Sequence, residues 1–138
     1  MLIRLIYVST ATRPLGDEDL EQILAAARDF NRKHQITGML VFSEGNFLQI
    51  LEGEDAAVAD LMDRRIAVDP RHSNILILDR EPIAERDFPD WRMGFRRLDG
   101  STPAELAEFR AFAASLEQPT RDLRPGAALD LLKQFAPS

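Results

Sequence analysis

Ile36-Thr37-Gly38-Met39-Leu40-Val41-Phe42-Ser43, then Glu44-Gly45-Asn46, then Phe47-Leu48-Gln49-Ile50-Leu51-Glu52 is the stretch whose reading decides the fold. Two runs rich in β-branched and aromatic residues flank a turn signal, which predicts a β-hairpin closed by a three-residue loop. Period two places Phe47, Gln49 and Leu51 on one face of the second strand, with Leu48 and Ile50 on the other. Gln49 is therefore a polar side chain among apolar neighbours. Unpaired and buried it would cost about 1–3 kcal/mol, so it needs a partner.

Upstream of the hairpin, Leu2 to Ser9 reads as a strand, stopped by Arg13-Pro14-Leu15-Gly16. Asp17 offers an N-cap, and Leu20, Ile23, Leu24, Ala27 and Phe30 recur at helical spacing to about His34. Downstream, Asp55 opens a second helix on Val58, Leu61, Met62 and Ile66, ending before Pro70. Ile75 to Leu78 predicts a short strand closed by Pro82, and a loop with Phe88-Pro89-Asp90 leads to a fifth strand, Trp91 to Leu98. The order βαββαβ plus one strand predicts an α+β fold with a ferredoxin-like core, both helices lying on one sheet face. Thr102-Pro103-Ala104-Glu105 is a capping box that launches a helix bearing Leu106, Phe109, Phe112, Ala113 and Leu116. After Pro119 to Gly126 a shorter helix carries Leu129, Leu132 and Phe135. These last helices are expected to cover the other face. Residues 1–98 thus read as one domain and 99–138 as a helical extension without a fold of its own.

Composition narrows the function. The 138 residues, 45% of them hydrophobic, suffice for one core. A net charge of −6 argues against nucleic acid or an anionic membrane as partner. Cysteine is absent, which excludes disulfides and thiolate chemistry. Met1-Leu2-Ile3-Arg4-Leu5 is too short an apolar run for a signal peptide, and no stretch has the length of a membrane span, so a cytoplasmic location is expected. His34 and His72 lack metal-ligand spacing, and Gly38, Gly45 and Gly53 match no phosphate-binding fingerprint. Glu52 and Glu54 read as solvated or turn residues rather than as an acid/base pair. Arg64, Arg65 and Asp69 read as a solvated helix face, although Arg65 borders the apolar stripe.

Polar residues on predicted core faces carry the remaining signal. Positions 20, 24, 27 and 31 form one helical stripe, which puts Asn31 on the buried side, either bonded to neighbouring backbone or aimed at a ligand. Ile3, Leu5 and Tyr7 share a strand face. In a ferredoxin-like order the first and third strands are central neighbours, so Tyr7, Gln49 and Asn31 can converge between sheet and helix. Three polar groups in an apolar pocket suit a planar ligand with a donor and acceptor edge. The other reading is a ligand-free interaction adaptor in which all three are satisfied core polars.

Leu5-Ile6-Tyr7-Val8-Ser9, Asn31 with Ile36-Thr37-Gly38, Phe47-Leu48-Gln49-Ile50-Leu51-Glu52-Gly53, Asp69-Pro70-Arg71-His72 and Phe88-Pro89-Asp90-Trp91-Arg92-Met93 follow one another in an order that resembles the BLUF family, sensors of blue light that use flavin, in its short single-domain form. The resemblance spans roughly residues 1–98. It implies a noncovalent flavin between the two helices, FAD before FMN. Tyr7 matches the photoactive tyrosine, Gln49 the switching glutamine, and Asn31 the amide on the flavin's carbonyl edge. Arg65, Asp69, Arg71 and His72 match positions that line the flavin or its tail, and Trp91 and Met93 match the pair that relays the signal through the fifth strand. Phe30 stands where several relatives carry a polar residue, so no hydrogen bond to the flavin is expected from it. Arg28, Arg32 or Lys33 are expected to hold the phosphate tail.

The resemblance also implies a sensor rather than an enzyme. Tyr7 would give an electron and a proton, and Gln49 would mediate the exchange because its amide both donates and accepts. With roughly 40 residues after the fifth strand, the expected output is in trans, on an effector such as a phosphodiesterase or transcription regulator, with homo-oligomerisation also expected.

Overall fold

The computed structural model describes residues 1–98, 103–115 and 127–135. Its strands are β1 (Leu2–Ala11), β2 (Thr37–Ser43), β3 (Asn46–Glu54), β4 (His72–Pro82) and β5 (Gly94–Arg97), and its helices are α1 (Asp17–His34), α2 (Asp55–Leu61), α3 (Pro103–Ser115) and α4 (Ala127–Phe135). The sheet order is β4-β1-β3-β2-β5. Neighbours are antiparallel except for the parallel pair β2 and β5. This is the expected ferredoxin-like arrangement with a fifth strand added beside β2.

The hairpin at its centre is tighter than its sequence suggests. Ser43 pairs with Asn46, leaving only Glu44 and Gly45 as the loop. Both have positive φ, 51° and 80°, the type I′ geometry whose twist matches that of the flanking strands. At the start of α1, Gly16 and not Asp17 is the cap. Its N–H donates to the Asp19 carboxylate at 3.0 Å, and Asp17 is already helical. Gln35 ends the helix in the left-handed region, and the Ile36 N–H turns back to the Asn31 carbonyl at 2.9 Å.

Two strands differ in extent from the sequence reading. β4 runs from His72 to Pro82, well beyond Ile75–Leu78, because its polar ends pair with β1 through the backbone, helped by side-chain bonds from Ser9 to His72 and from Arg4 to Asp79 and Glu81. Two register shifts interrupt that pairing, and Asn74, with φ of 55°, lies beside one of them. Bulges and charges of this kind protect an exposed sheet edge. β5 is shorter than expected, beginning at Gly94, so Trp91 and Met93 precede the strand.

The sheet separates two apolar clusters. On one face Ile3, Leu5, Leu40, Phe47 and Leu51 pack with Leu20, Leu24 and Phe30 of α1 and with Val58 and Leu61 of α2. On the other, Ile6, Met39, Val41, Leu48 and Ile50 meet Phe109 and Phe112 of α3 and Leu129, Leu132 and Phe135 of α4. The last two helices therefore cover the second face, as their apolar stripes suggest. The capping box at Thr102, Leu116 and the segment Pro119 to Gly126 lie outside the described residues. No helix among the described residues is long and apolar enough to cross a membrane.

Candidate functional site: a buried polar chain beneath an apolar cavity

Tyr7 of β1 pairs directly with Gln49 of β3, which pairs in turn with Leu40 of β2. Ile77 and Phe95 extend this row to the two sheet edges. Above the row, between α1 and the residues after α2, lies a cavity of about 610 Å³. Ile23, Ala27 and Phe30 wall it on one side, Leu61 and Ile66 on the other, while Leu40 and Phe47 rise from the sheet. Such a slot suits a flat, largely apolar ligand.

Its floor carries a connected set of polar atoms. The Tyr7 hydroxyl donates to Gln49 Oε1. This fixes the amide's other end as donor, and Gln49 Nε2 lies 3.3 Å from Met93 Sδ. Tyr7 and Gln49 are both buried. Burial, and secondarily the negative charge of Asp69, push the Tyr7 phenol well above its ordinary pKa, so it stays protonated across the physiological range.

Asn31 is wholly buried on α1. Its Nδ2 donates to the Arg92 carbonyl at 2.5 Å, whereas Oδ1 has no partner among the described residues and Asn31 lines the cavity. The reading of three merely satisfied core polars leaves this atom unmet, and an unmet buried acceptor costs about 1–3 kcal/mol. The uracil-like edge of an isoalloxazine ring carries an N–H donor between two carbonyl acceptors. Asn31 Oδ1, with the remaining N–H of its amide, fits that pattern.

The cavity mouth is charged. Arg65 lies over the Phe30 ring at 4.6 Å and makes no ion pair among the described residues. Arg71 grips Asp69 through a 2.7 Å contact, and this holds the Asp69 carboxyl below the usual range. His72 is fixed by two bonds. Its Nε2 must donate to the Ile66 carbonyl at 2.6 Å, so in the neutral ring Nδ1 accepts from the Ser9 hydroxyl at 2.8 Å. The ring sits edge-on to Tyr7 and Phe47.

All seven residues expected to line a ligand therefore meet at one cavity: Tyr7, Asn31, Gln49, Arg65, Asp69, Arg71 and His72. Arg28, Arg32 and Lys33 do not. Arg32 and Lys33 pair with Asp29 on the helix surface, and Arg28 reaches the Met93 carbonyl.

Trp91 and Met93 would share a face in a continuous strand. Here the turn ahead of β5 sends them to opposite faces. Met93 is buried with the cavity-side cluster, while Trp91 stacks on Phe88 at 5.9 Å in the far-side cluster. Gly94 makes room for it, since a Cβ there would come within 2.6 Å of the indole. Glu52 is another departure. Far from being solvated, it is completely buried and accepts from the Thr37 hydroxyl at 3.0 Å, the Asp87 N–H at 2.6 Å and the Phe88 N–H at 3.0 Å. Its place at alternate-strand spacing from Leu48 and Ile50 was the available signal.

Comparison with known proteins identifies the family. The family described as sensors of blue light using FAD matches residues 2–94. The beta subunit of the photoactivated adenylate cyclase of Euglena gracilis is 37% identical over 118 residues, which is 85% of this chain and 13% of that protein. The chain thus spans only about an eighth of the curated relatives it matches. Among solved structures, the photo-activated state of BlsA superposes with a TM-score of 0.79 at 31% identity, covering 98% of this chain and 94% of that one. Klebsiella pneumoniae BlrP1 with FMN and cyclic diGMP gives 0.69 at 31% identity over 94% of this chain and 35% of that one. By its fold, its cavity and these matches, the chain belongs to the BLUF family of flavin-using blue-light sensors.

Proposed function

We propose that the chain is a photoreceptor in which Tyr7 is the electron and proton donor, Gln49 the hydrogen-bond switch, and Met93 the first residue to feel the change. The observation that carries this reading is the buried chain Tyr7 Oη, Gln49 Oε1, Gln49 Nε2, Met93 Sδ under a cavity whose wall presents an unmet Asn31 acceptor.

A flavin bound there supplies, on absorbing blue light, an oxidant able to take an electron from a phenol. Tyr7 is held neutral, and a phenol that loses an electron becomes strongly acidic, so when a bound flavin would take its electron the proton leaves toward Gln49 Oε1. When electron and proton return, no net chemistry has occurred. Gln49 is left with its amide ends exchanged. It then presents an oxygen to Met93 Sδ, acceptor against acceptor, and the 3.3 Å contact has no reason to persist. That loss gives the two states the differential contact a switch requires.

FAD is the preferred flavin, with FMN as the alternative, and Arg65 is the cation available for its phosphates. Residues 1–98 act as the sensing unit and 99–138 as the helical extension. The proposed output is in trans, on an effector protein such as a phosphodiesterase or transcription regulator, and the solved BlsA chain is matched over 94% of its length. Self-association is part of the same proposal. Purified protein loaded with FAD or FMN and lit with blue light should shift its absorption reversibly to longer wavelength. A colourless protein that rejects both flavins would overturn the reading.

A further inference from the structure

Three consecutive carbonyls just before β5 are each held by a separate donor. The Trp91 carbonyl accepts from the Gly38 N–H at 3.1 Å, and the Arg92 carbonyl accepts from Asn31 Nδ2 at 2.5 Å. The Met93 carbonyl takes both Arg28 Nε at 3.1 Å and Arg28 Nη2 at 3.0 Å. Arg28 lies outside the cavity and makes no ion pair among the described residues. A guanidinium that spends two N–H groups on one backbone oxygen is a clamp. Charge-assisted hydrogen bonds of this kind are the stronger ones.

The clamp sits where it matters. The two carbonyls bonded to α1 belong to the residues whose irregular turn sends Met93 to Gln49 and Trp91 to the opposite face. Asn31 lines the cavity as well as holding the Arg92 carbonyl. Among the described residues, the side-chain hydrogen bonds of Arg28 go to the relay segment. We infer that Arg28 is a positioning residue that locks the segment 91–93 in the arrangement with Met93 against Gln49, and that it must release the Met93 carbonyl when that side chain withdraws. This rests on the switch proposed above. The clamp favours the dark arrangement alone, so its removal narrows the gap between the two states and slows the return from the lit one.

The chain has a single tryptophan, so its fluorescence reports on Trp91 alone. Arg28→Ala and Arg28→Lys, loaded with flavin, should keep the dark spectrum and the size of the light-induced shift. In the dark, acrylamide quenching of Trp91 in Arg28→Ala should rise at least twofold over the parent, and recovery after illumination should slow several-fold. Arg28→Lys, which returns one donor to the carbonyl, should fall between. Should Arg28→Ala lose its circular dichroism signature, Arg28→Lys against the parent decides by the same two measurements. Quenching and recovery equal to the parent would sink the inference. A parent that shows no shift at all would instead sink the photoreceptor reading, while the dark quenching comparison would still test the clamp.

Discussion

The phenol of Tyr7 is the chain's only one, so its behaviour can be read without interference. Tyr7→Phe should retain flavin, since the ring still fills its place between β3 and β4, and should abolish the light-induced shift measured by absorption. A normal shift in that variant would remove Tyr7 from the mechanism. The raised pKa makes a second claim. In the unfolded chain the phenol titrates near pH 10, whereas in the folded protein it holds its proton to higher pH. Its contribution to stability is therefore complete below about pH 10 and is lost as the pH climbs toward the folded value, at no more than about 1.4 kcal/mol per unit. Urea unfolding between about pH 9 and 11 should show the parent losing stability faster than Tyr7→Phe, and parallel curves would contradict the burial argument. Tyr7, Gln49 and Asn31 were legible because period two and period 3.6 alone put them on core faces. Arg28 was not, because nothing local in a helix-surface arginine says that it reaches a carbonyl 65 positions away.

At the scale of elements, patterning gave the central strands correctly and misjudged the edges. β3 is apolar on both faces and pairs on both sides, whereas β4 begins with His72-Ser73-Asn74 and ends with Asp79-Arg80-Glu81-Pro82, residues with no strand signal that backbone pairing with β1 nevertheless holds. The start of β5 was misplaced because donors from α1 capture the carbonyls of residues 92 and 93. The end of β3 is the most testable element. Glu52 fastens the loop at 87 and 88 to the sheet, and the Arg86 guanidinium adds bonds to the Thr37 hydroxyl and the carbonyls of Glu52 and Gln35. In Glu52→Gln, an NH2 group must replace one carboxylate oxygen. Both oxygens accept from backbone N–H groups, so donor meets donor at Asp87 or Phe88. A loss of about 1–3 kcal/mol in urea unfolding is expected. A variant as stable as the parent would mean that the loop is held by Arg86 alone.

Across the whole molecule, one sheet serves two interiors, and each β-strand sends alternate side chains to the ligand side and to the helical extension. Leu132 and Phe135 of α4 are fully buried on the second side, against strands whose other face floors the cavity. Stability and photochemistry should therefore separate. Leu132→Ala removes buried volume from the far cluster without touching any cavity residue, and its cost should be about 2–5 kcal/mol. The backbone pairing of Tyr7 with Gln49 and the row through Leu40 do not depend on that side chain, so the flavin-loaded variant should keep its dark spectrum and its shift at temperatures where it remains folded. Urea unfolding followed by circular dichroism, beside absorption spectra under blue light, measures both. A variant with full stability would show that α4 is not docked on the sheet as described. A variant that is folded yet has lost its shift would show that the two interiors are coupled in the resting state, and the relay would then have to run through the core of the sheet instead of through the turn at residues 91–93.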